Sequence, residues 1–343
     1  MPGMRAVPRA AALFIACVAF AVALASPAHA LSRDAGLERR LAAIAGDCPG
    51  VCGISVLHLD SGRFAAIRAD ERFPMASTFK LPIAMTVLSG VDQGAIKLDE
   101  IVHLNAWDMN PAASALTDAH PVGGVDVTLH DLLDRMLTTS DNTACDVLLR
   151  RVGGPAVVTQ ELRLWSVSEL RVDRDERESG NDWVGLSLPF DSTQTAASLK
   201  AARDAVPISR RAEADRKFMA DPRDTATPRG FTALLAMLWH GAALSPASTD
   251  TMRAMLERTT TGAGRLRAGL PKPVKLAHKT GTGWSLGDHT AAVNDVGVIT
   301  LPGGGGRVAI AVLIRDVRGP VPRAEKTIAE VAKAVFDSWN APE

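Results

Sequence analysis

Apolar residues recur along the chain with two different periods. "LERRLAAIAG" places Leu37, Leu41 and Ile44 on one helical face, and Gly46 can end that helix. "CGISVLHL", "DSGR" and "FAAI" then read as strand, turn and strand. The stretch "FPMASTFKLPIAMTVL" passes from a loop into an apolar run, which predicts a long helix through Val87. "TLHDLLDRML" and "NTACDVLLRRVGG" predict two more helices joined by "TTSD". Thr128 with Asp131 resembles a capping box for the first, and Gly153-Gly154-Pro155 stops the second. From Arg177 to Ala220 the pattern turns polar, with one helix expected in "DSTQTAASLKAARDAV", capped by Asp191 or Ser192. "PRGFTALLAMLWHGAAL" is helical again. "PVKLAHKTGT", "AAVNDVGVITLP" and "RVAIAVLIRDV" read as strands, with the "GGGG" of 303–306 as a hairpin turn. "AEKTIAEVAKAVFDSW" closes the chain as a helix with Ile328, Val331, Val335 and Trp339 on one face.

Strands at both ends around a helical middle imply an α/β (α+β) fold. We expect one antiparallel sheet of about five strands built from both termini, flanked by helices, with an all-helical domain inserted. Residues 31–72 together with 262–343 are expected to form the sheet domain, and 73–261 the helical one. There are no internal repeats. The first thirty residues read differently: Arg5 and Arg9 precede the apolar run "AALFIACVAFAVALA", and "AHA" fits a cleavage site before Leu31. A secretory signal peptide is the expectation, with the mature chain periplasmic or secreted and no membrane attachment after cleavage.

Composition narrows the classes further. The 343 residues are 47% hydrophobic, enough for a sizeable core. Lys+Arg and Asp+Glu are both 38 and interspersed, so no basic face points to nucleic acid. Outside the signal segment the cysteines are Cys48, Cys52 and Cys145. Cys48 and Cys52 flank a Pro-Gly turn and, in an exported protein, are candidates for a disulfide. Zinc is the weaker reading, since no second cysteine pair or histidine pair stands at ligand spacing. Cys145 lies on a helical stretch and reads as a buried small hydrophobe. His58, His103, His120, His130, His240 and His278 read as surface or structural residues, and Trp107 and Trp165 as packing residues. Tyrosine is absent from the chain, which excludes any mechanism with a tyrosine phenolate base.

Three short stretches carry the chemistry. In "STFK", Ser77 and Lys80 lie three residues apart and share a helical face. A serine at the first turn meets the positive end of the helix dipole. A lysine one turn on can take its proton if burial or neighbouring cations lower the lysine pKa. Alone the pair is weak, because serine is a preferred cap and lysine is common on helices. "SDN", Ser140 to Asn142, lies in the tight connection between two helices. "KTG", Lys279 to Gly281, follows an apolar strand and offers a cation, a hydroxyl and a close-approach glycine at a sheet edge. Together, in this order, these are the motif set of class A β-lactamases and penicillin-binding proteins.

Apart from one insertion, the mature chain resembles class A serine β-lactamases along nearly its whole length. It is most similar to the subclass A2 branch, through "FPMASTFKL", "VDQG", "SDNTACDVLLRRVGGP", "TTTG" and "AHKTGT". The resemblance implies Ser77 as the acylated nucleophile and Lys80 as its proton partner. It implies Ser140 as the shuttle that protonates the lactam nitrogen, and Asn142 as a ligand of the substrate side-chain amide. Lys279 and Thr280, with Gly281 beside them, would receive the substrate carboxylate, supported by Arg265. The amides of Ser77 and Thr282 would form the oxyanion hole, worth about 3 kcal/mol of barrier per donor. The substrate is a small-molecule β-lactam, no metal or organic cofactor is implied, and a monomer is expected.

Turnover also needs a base for the deacylating water. The family places a glutamate after an Arg-x-Asp-Arg-type run, and "RVDRDERES" puts Glu176 there, with Asp175 and Glu178 as fallbacks. Two departures from the family pattern follow. Four residues on stands Gly180, with Asn181 beside it, where an asparagine is usual. "DPRDTATP" then begins only at Asp221, after an insertion of about 35 residues that spans about 180–220. Arg174 and Asp224 are expected to pair across it, since loop-closure entropy grows slowly with length. Of an exposed flap, a cleft lid and a partner surface, the flap is the expected form. "GWSLG", 283–287, matches a nucleophile elbow, but the strand-like run after it argues for a turn, with Trp284 beside the cleft. Two other functions stay open: a penicillin-binding or D,D-peptidase-like acyl-serine transferase that deacylates slowly, and a non-catalytic binding protein on the same scaffold. Class C-type enzymes need a Tyr-x-Asn element that this chain lacks.

Overall fold

The computed structural model describes residues 31–188 and 191–340; the expected signal peptide lies outside them. Five long strands form a single antiparallel sheet in the order Arg63–Ile67, Val51–His58, Arg307–Arg318, His289–Thr300, Lys275–Thr282. Segments from both ends of the chain therefore meet at its centre. Two short strands extend the expected set: Ser32–Arg33 runs parallel to Arg63–Ile67, and Ser285–Leu286 pairs with the start of His289–Thr300. The "GWSLG" segment is thus a hairpin turn with no helix after it.

The Arg307–Arg318 strand shows why the sheet is covered on both sides. Successive side chains of a strand point to opposite faces. Val308, Ile310, Val312 and Ile314 pack with Leu41, Ile328, Val335 and Trp339 of the first and last helices. Ala309, Ala311 and Leu313 face the helical region and its core of Phe73, Leu81, Met85 and Phe231. No helix among the described residues is long and apolar enough to cross a membrane.

Local signals mostly act where expected. Thr128 accepts the Asp131 amide at 3.1 Å and starts the Leu129–Thr138 helix, but only half of a capping box forms, because the Asp131 carboxylate turns to Arg135. Two small ribbons in the helical region add to the expected elements. These pair Phe73–Pro74 with Thr225–Ala226, and Ile101–Asn105 with Gly123–Thr128.

The insertion differs most from expectation. Its first helix is Ala196–Asp204, and the cap is Thr195, whose hydroxyl accepts the Ser198 amide, in place of Asp191 or Ser192. Asp191 instead folds its carboxylate onto the Thr193 amide and hydroxyl. A second helix, Ile208–Ala220, was hidden by its charge: Ala214 is its one buried residue, and Ile208 at its start is exposed. Nor is the insertion an exposed flap. Ala196, Leu199, Arg203 and Val206 are buried, Trp183 meets Phe218 edge to face at 5.3 Å, and Asp215 reaches His289 on the sheet at 3.0 Å.

Cys48 and Cys52 are both free thiols. The hydrogen bond from Cys52 draws the Cys48 thiol down to about 7 against the effect of burial, whereas the same contact and then burial raise Cys52 well above its ordinary value. The thiolate is the nucleophile and forms as pH rises through that value. Iodoacetamide should therefore label Cys48 with a midpoint near pH 7 and leave buried Cys52 and Cys145 unlabelled, as peptide mass mapping will show.

Candidate active site

Ser77 lies on a single 3-10 turn, Ala76–Phe79, that leads into the Lys80–Asp92 helix. Ala76 before it has φ 45°, a left-handed conformation costly for a residue with a Cβ. Such strain is held only where surroundings over-determine it. Here Asn294, buried in the sheet, donates from Nδ2 to the carbonyls of Pro74 and Met75, both at 2.9 Å. Gly281 closes the turn from the strand side: a Cβ there would stand 2.8 Å from the Met75 carbonyl and 3.1 Å from the Ser77 nitrogen.

Lys80 is fully buried and donates into the site from below. Its Nζ reaches Ser77 Oγ at 3.2 Å, the Ser140 carbonyl at 2.8 Å, Ser140 Oγ at 3.3 Å and the Asn142 side-chain oxygen. Ser140 also sits at positive φ, 64°. Asp141 next to it caps the Asn142–Arg151 helix and accepts from Ser114 Oγ and the Leu116 amide. Lys279 Nζ approaches Ser140 Oγ at 3.0 Å, so this hydroxyl stands between two lysines.

Glu176 is the first residue of the helix Glu176–Val184. Its Oε1 accepts from Ser77 Oγ at 3.3 Å and lies 2.9 Å from Lys80 Nζ. The two fallback acids are engaged elsewhere: Asp175 caps the helix by accepting the Glu178 amide at 2.7 Å, and Glu178 returns to the Asp175 amide. The pair expected across the insertion forms, with Arg174 Nε donating to Asp224 at 2.6 Å.

The electrostatics correct one expectation. Burial pushes the Lys80 ammonium down, but the Glu176 carboxylate, together with Cys145 and Asp146, outweighs it and the net shift is upward. Lys80 is thus held as a cation in the resting site. The depressed lysine is Lys279, which burial and then the Lys80 charge hold well below the usual range.

The remaining substrate-side residues divide. Thr282 is exposed at the cleft edge, whereas Thr280 is buried, its hydroxyl 2.6 Å from that of Thr261. Arg265 lies behind the strand: it donates to the carbonyls of Gly281 and Asn294 and to the Thr282 hydroxyl, and pairs with Glu325. It supports the strand end and is 4% exposed, too enclosed to present its charge to the cleft. Asp146 was not singled out by sequence, although it stands four residues after Asn142 on one helix. Its carboxylate accepts the Glu176 amide and the Asn110 side-chain amide, both at 2.8 Å. Trp284 and, unforeseen, Phe218 of the insertion line the same cleft.

A serine in contact with a buried lysine and a carboxylate, beside a second serine held by two lysines, defines a serine acyl-transfer site on a mixed helix–sheet scaffold. The comparisons narrow that class. The sequence profile of the β-lactamase enzyme family matches residues 36–339. The chain is 32% identical to the extended-spectrum β-lactamase PER-1 of Pseudomonas aeruginosa over 286 residues, 83% of this chain and 81% of that protein. It is 29% identical to β-lactamase VEB-1 of the same organism over 291 residues, 84% of each. The solved structure of an ancestral class A β-lactamase superposes with a TM-score of 0.71 at 34% identity, covering 88% of this chain and 99% of that one. The chain belongs to the β-lactamase enzyme family, in its class A serine branch.

Proposed function

We propose that the chain hydrolyses β-lactams through an acyl-enzyme on Ser77, with Glu176 as the base of deacylation. The observation that carries this is the position of Ser77 Oγ, 3.2 Å from Lys80 Nζ and 3.3 Å from Glu176 Oε1. Ser77 Oγ attacks the lactam carbonyl while its proton passes to the Lys80–Glu176 pair. The C–N bond breaks, and the nitrogen takes the Ser140 hydroxyl proton, which Lys80 replaces across 3.3 Å with the proton that the pair took from Ser77, leaving Glu176 a carboxylate again. The amides of Ser77 and Thr282 hold the oxyanion, while Lys279 and Thr280 attract the substrate carboxylate. Asn142 serves the substrate side-chain amide and also fixes Lys80. Water then attacks the ester, Glu176 takes its proton, and Ser77 regains its own.

The charged n-region, apolar run and "AHA" site support export, with the mature monomer starting at about Leu31. The mature chain should hydrolyse a chromogenic cephalosporin catalytically, followed as steady-state absorbance change. Stoichiometric acylation without turnover would instead mark a penicillin-binding type of acyl-serine transferase. Binding with neither would mark a non-catalytic binding protein.

A further inference from the structure

Gly180 lies within the Glu176–Val184 helix, where glycine is about 1 kcal/mol worse than alanine. The reason it stands there is a side chain from outside the helix. A Cβ at position 180 would fall 2.7 Å from Nη2 of Arg203 and 2.8 Å from both Cζ and Nη1. Arg203 belongs to the Ala196–Asp204 helix of the insertion and is only 7% exposed. Its fork grips the helix at two levels: Nε donates to Asn181 Oδ1 at 2.9 Å, and Nη2 donates to the Arg177 carbonyl at 2.8 Å. Its own backbone carbonyl is held by Arg211 Nη2 at 2.7 Å, and the guanidinium lies 5.8 Å from the centre of the Trp284 ring. Asp146 fixes the front of the same helix through the Glu176 amide. The first turn is thus held by Asp146, and the middle by a residue of the insertion.

We propose that Arg203 is a positioning residue for deacylation, keyed into the gap left by Gly180 so that the insertion sets where the Glu176 carboxylate sits. The insertion is in this sense part of the catalytic support. The inference rests on Glu176 being the deacylating base. Acylation has both Lys80 and Glu176 near the Ser77 hydroxyl, whereas release of the ester depends on Glu176 alone. Loss of the key should therefore weigh on deacylation first.

The test is a cycle of Arg203→Ala, Gly180→Ala and the double variant, with Arg203→Lys and Glu176→Gln as references. In Arg203→Ala, kcat should fall about tenfold to a hundredfold, the cost of a displacement near 1 Å. KM should fall with it, kcat/KM should change less, and an acyl adduct should appear by mass spectrometry. Gly180→Ala alone should behave the same way, because its methyl displaces the guanidinium. In the Arg203→Ala background the same methyl has room, so it should cause no further loss. Arg203→Lys, with a point charge in place of a fork, should fall between. An unchanged kcat, a fall in kcat with KM constant, or independent effects of the two sites would overturn the proposal. If Glu176→Gln traps an adduct and Arg203→Ala does not, only the positioning role fails. If Glu176→Gln traps none, the assignment of the base fails first.

Discussion

Replacing Glu176 by glutamine is expected to stop the enzyme after acylation. The change keeps shape and removes one charge, so the helix and its Asp146 anchor should survive. General base catalysis contributes about 10²–10⁴-fold, and kcat should fall by that order. Acylation should continue for a reason visible in the site. Burial pushes the Lys80 ammonium down, and the Glu176 carboxylate is the foremost of the groups that oppose it, ahead of Cys145 and Asp146. Without that carboxylate the balance moves towards the downward influence of burial, with only Cys145 and Asp146 left to oppose it, and Lys80 becomes better able to accept the Ser77 proton across 3.2 Å. The ester then forms with nothing to activate its water. Mass spectrometry after brief mixing with substrate should show the protein plus one acyl group, persisting over many wild-type turnover times. Normal turnover by this variant would move the base to another residue.

How much of this was legible beforehand follows from where the information lies. The sheet was readable because its strands are apolar on both faces, as in "RVAIAVLIRDV", where the bulky and small positions serve different cores. The residues of "STFK", "SDN" and "KTG" were readable because their spacing is local. Glu176 was readable only through register, since its helix, "ERESGNDWV", has almost no apolar period. Its contact with Ser77 spans 99 positions. The resting charge of Lys80 was beyond local reading for the same reason: its decisive partner comes from another helix. The insertion was misjudged because much of its burial is carried by Arg203 and by small residues such as Ala196 and Ala214 beside only two larger apolar ones, Leu199 and Val206, and a hydrophobic pattern undercounts these. Gly180 looked like a missing asparagine; in three dimensions it is the space that Arg203 fills.

Replacing Ser77 by alanine is expected to have the largest effect of any single change. It removes the atom that forms the covalent intermediate, and loss of a nucleophile lowers kcat by on the order of 10⁶-fold where the residues act as a unit. Structure should be little disturbed. The hydroxyl is half-buried, and the Lys80–Glu176 pair at 2.9 Å does not pass through it. Lys80 also keeps the Ser140 carbonyl and the Asn142 oxygen as acceptors. The Asn294 bonds to Pro74 and Met75 hold the turn independently of the side chain. The variant should thus melt near the wild-type temperature, bind substrate non-covalently, and show no acyl adduct at any time. That last point separates it from Glu176→Gln, since the adduct trapped in one must be absent from the other. Combining the two changes should give the Ser77→Ala result, because a step that never begins cannot be arrested later. Full activity in the alanine variant would falsify the nucleophile, and with it the order of events assigned to Lys80, Ser140 and Glu176.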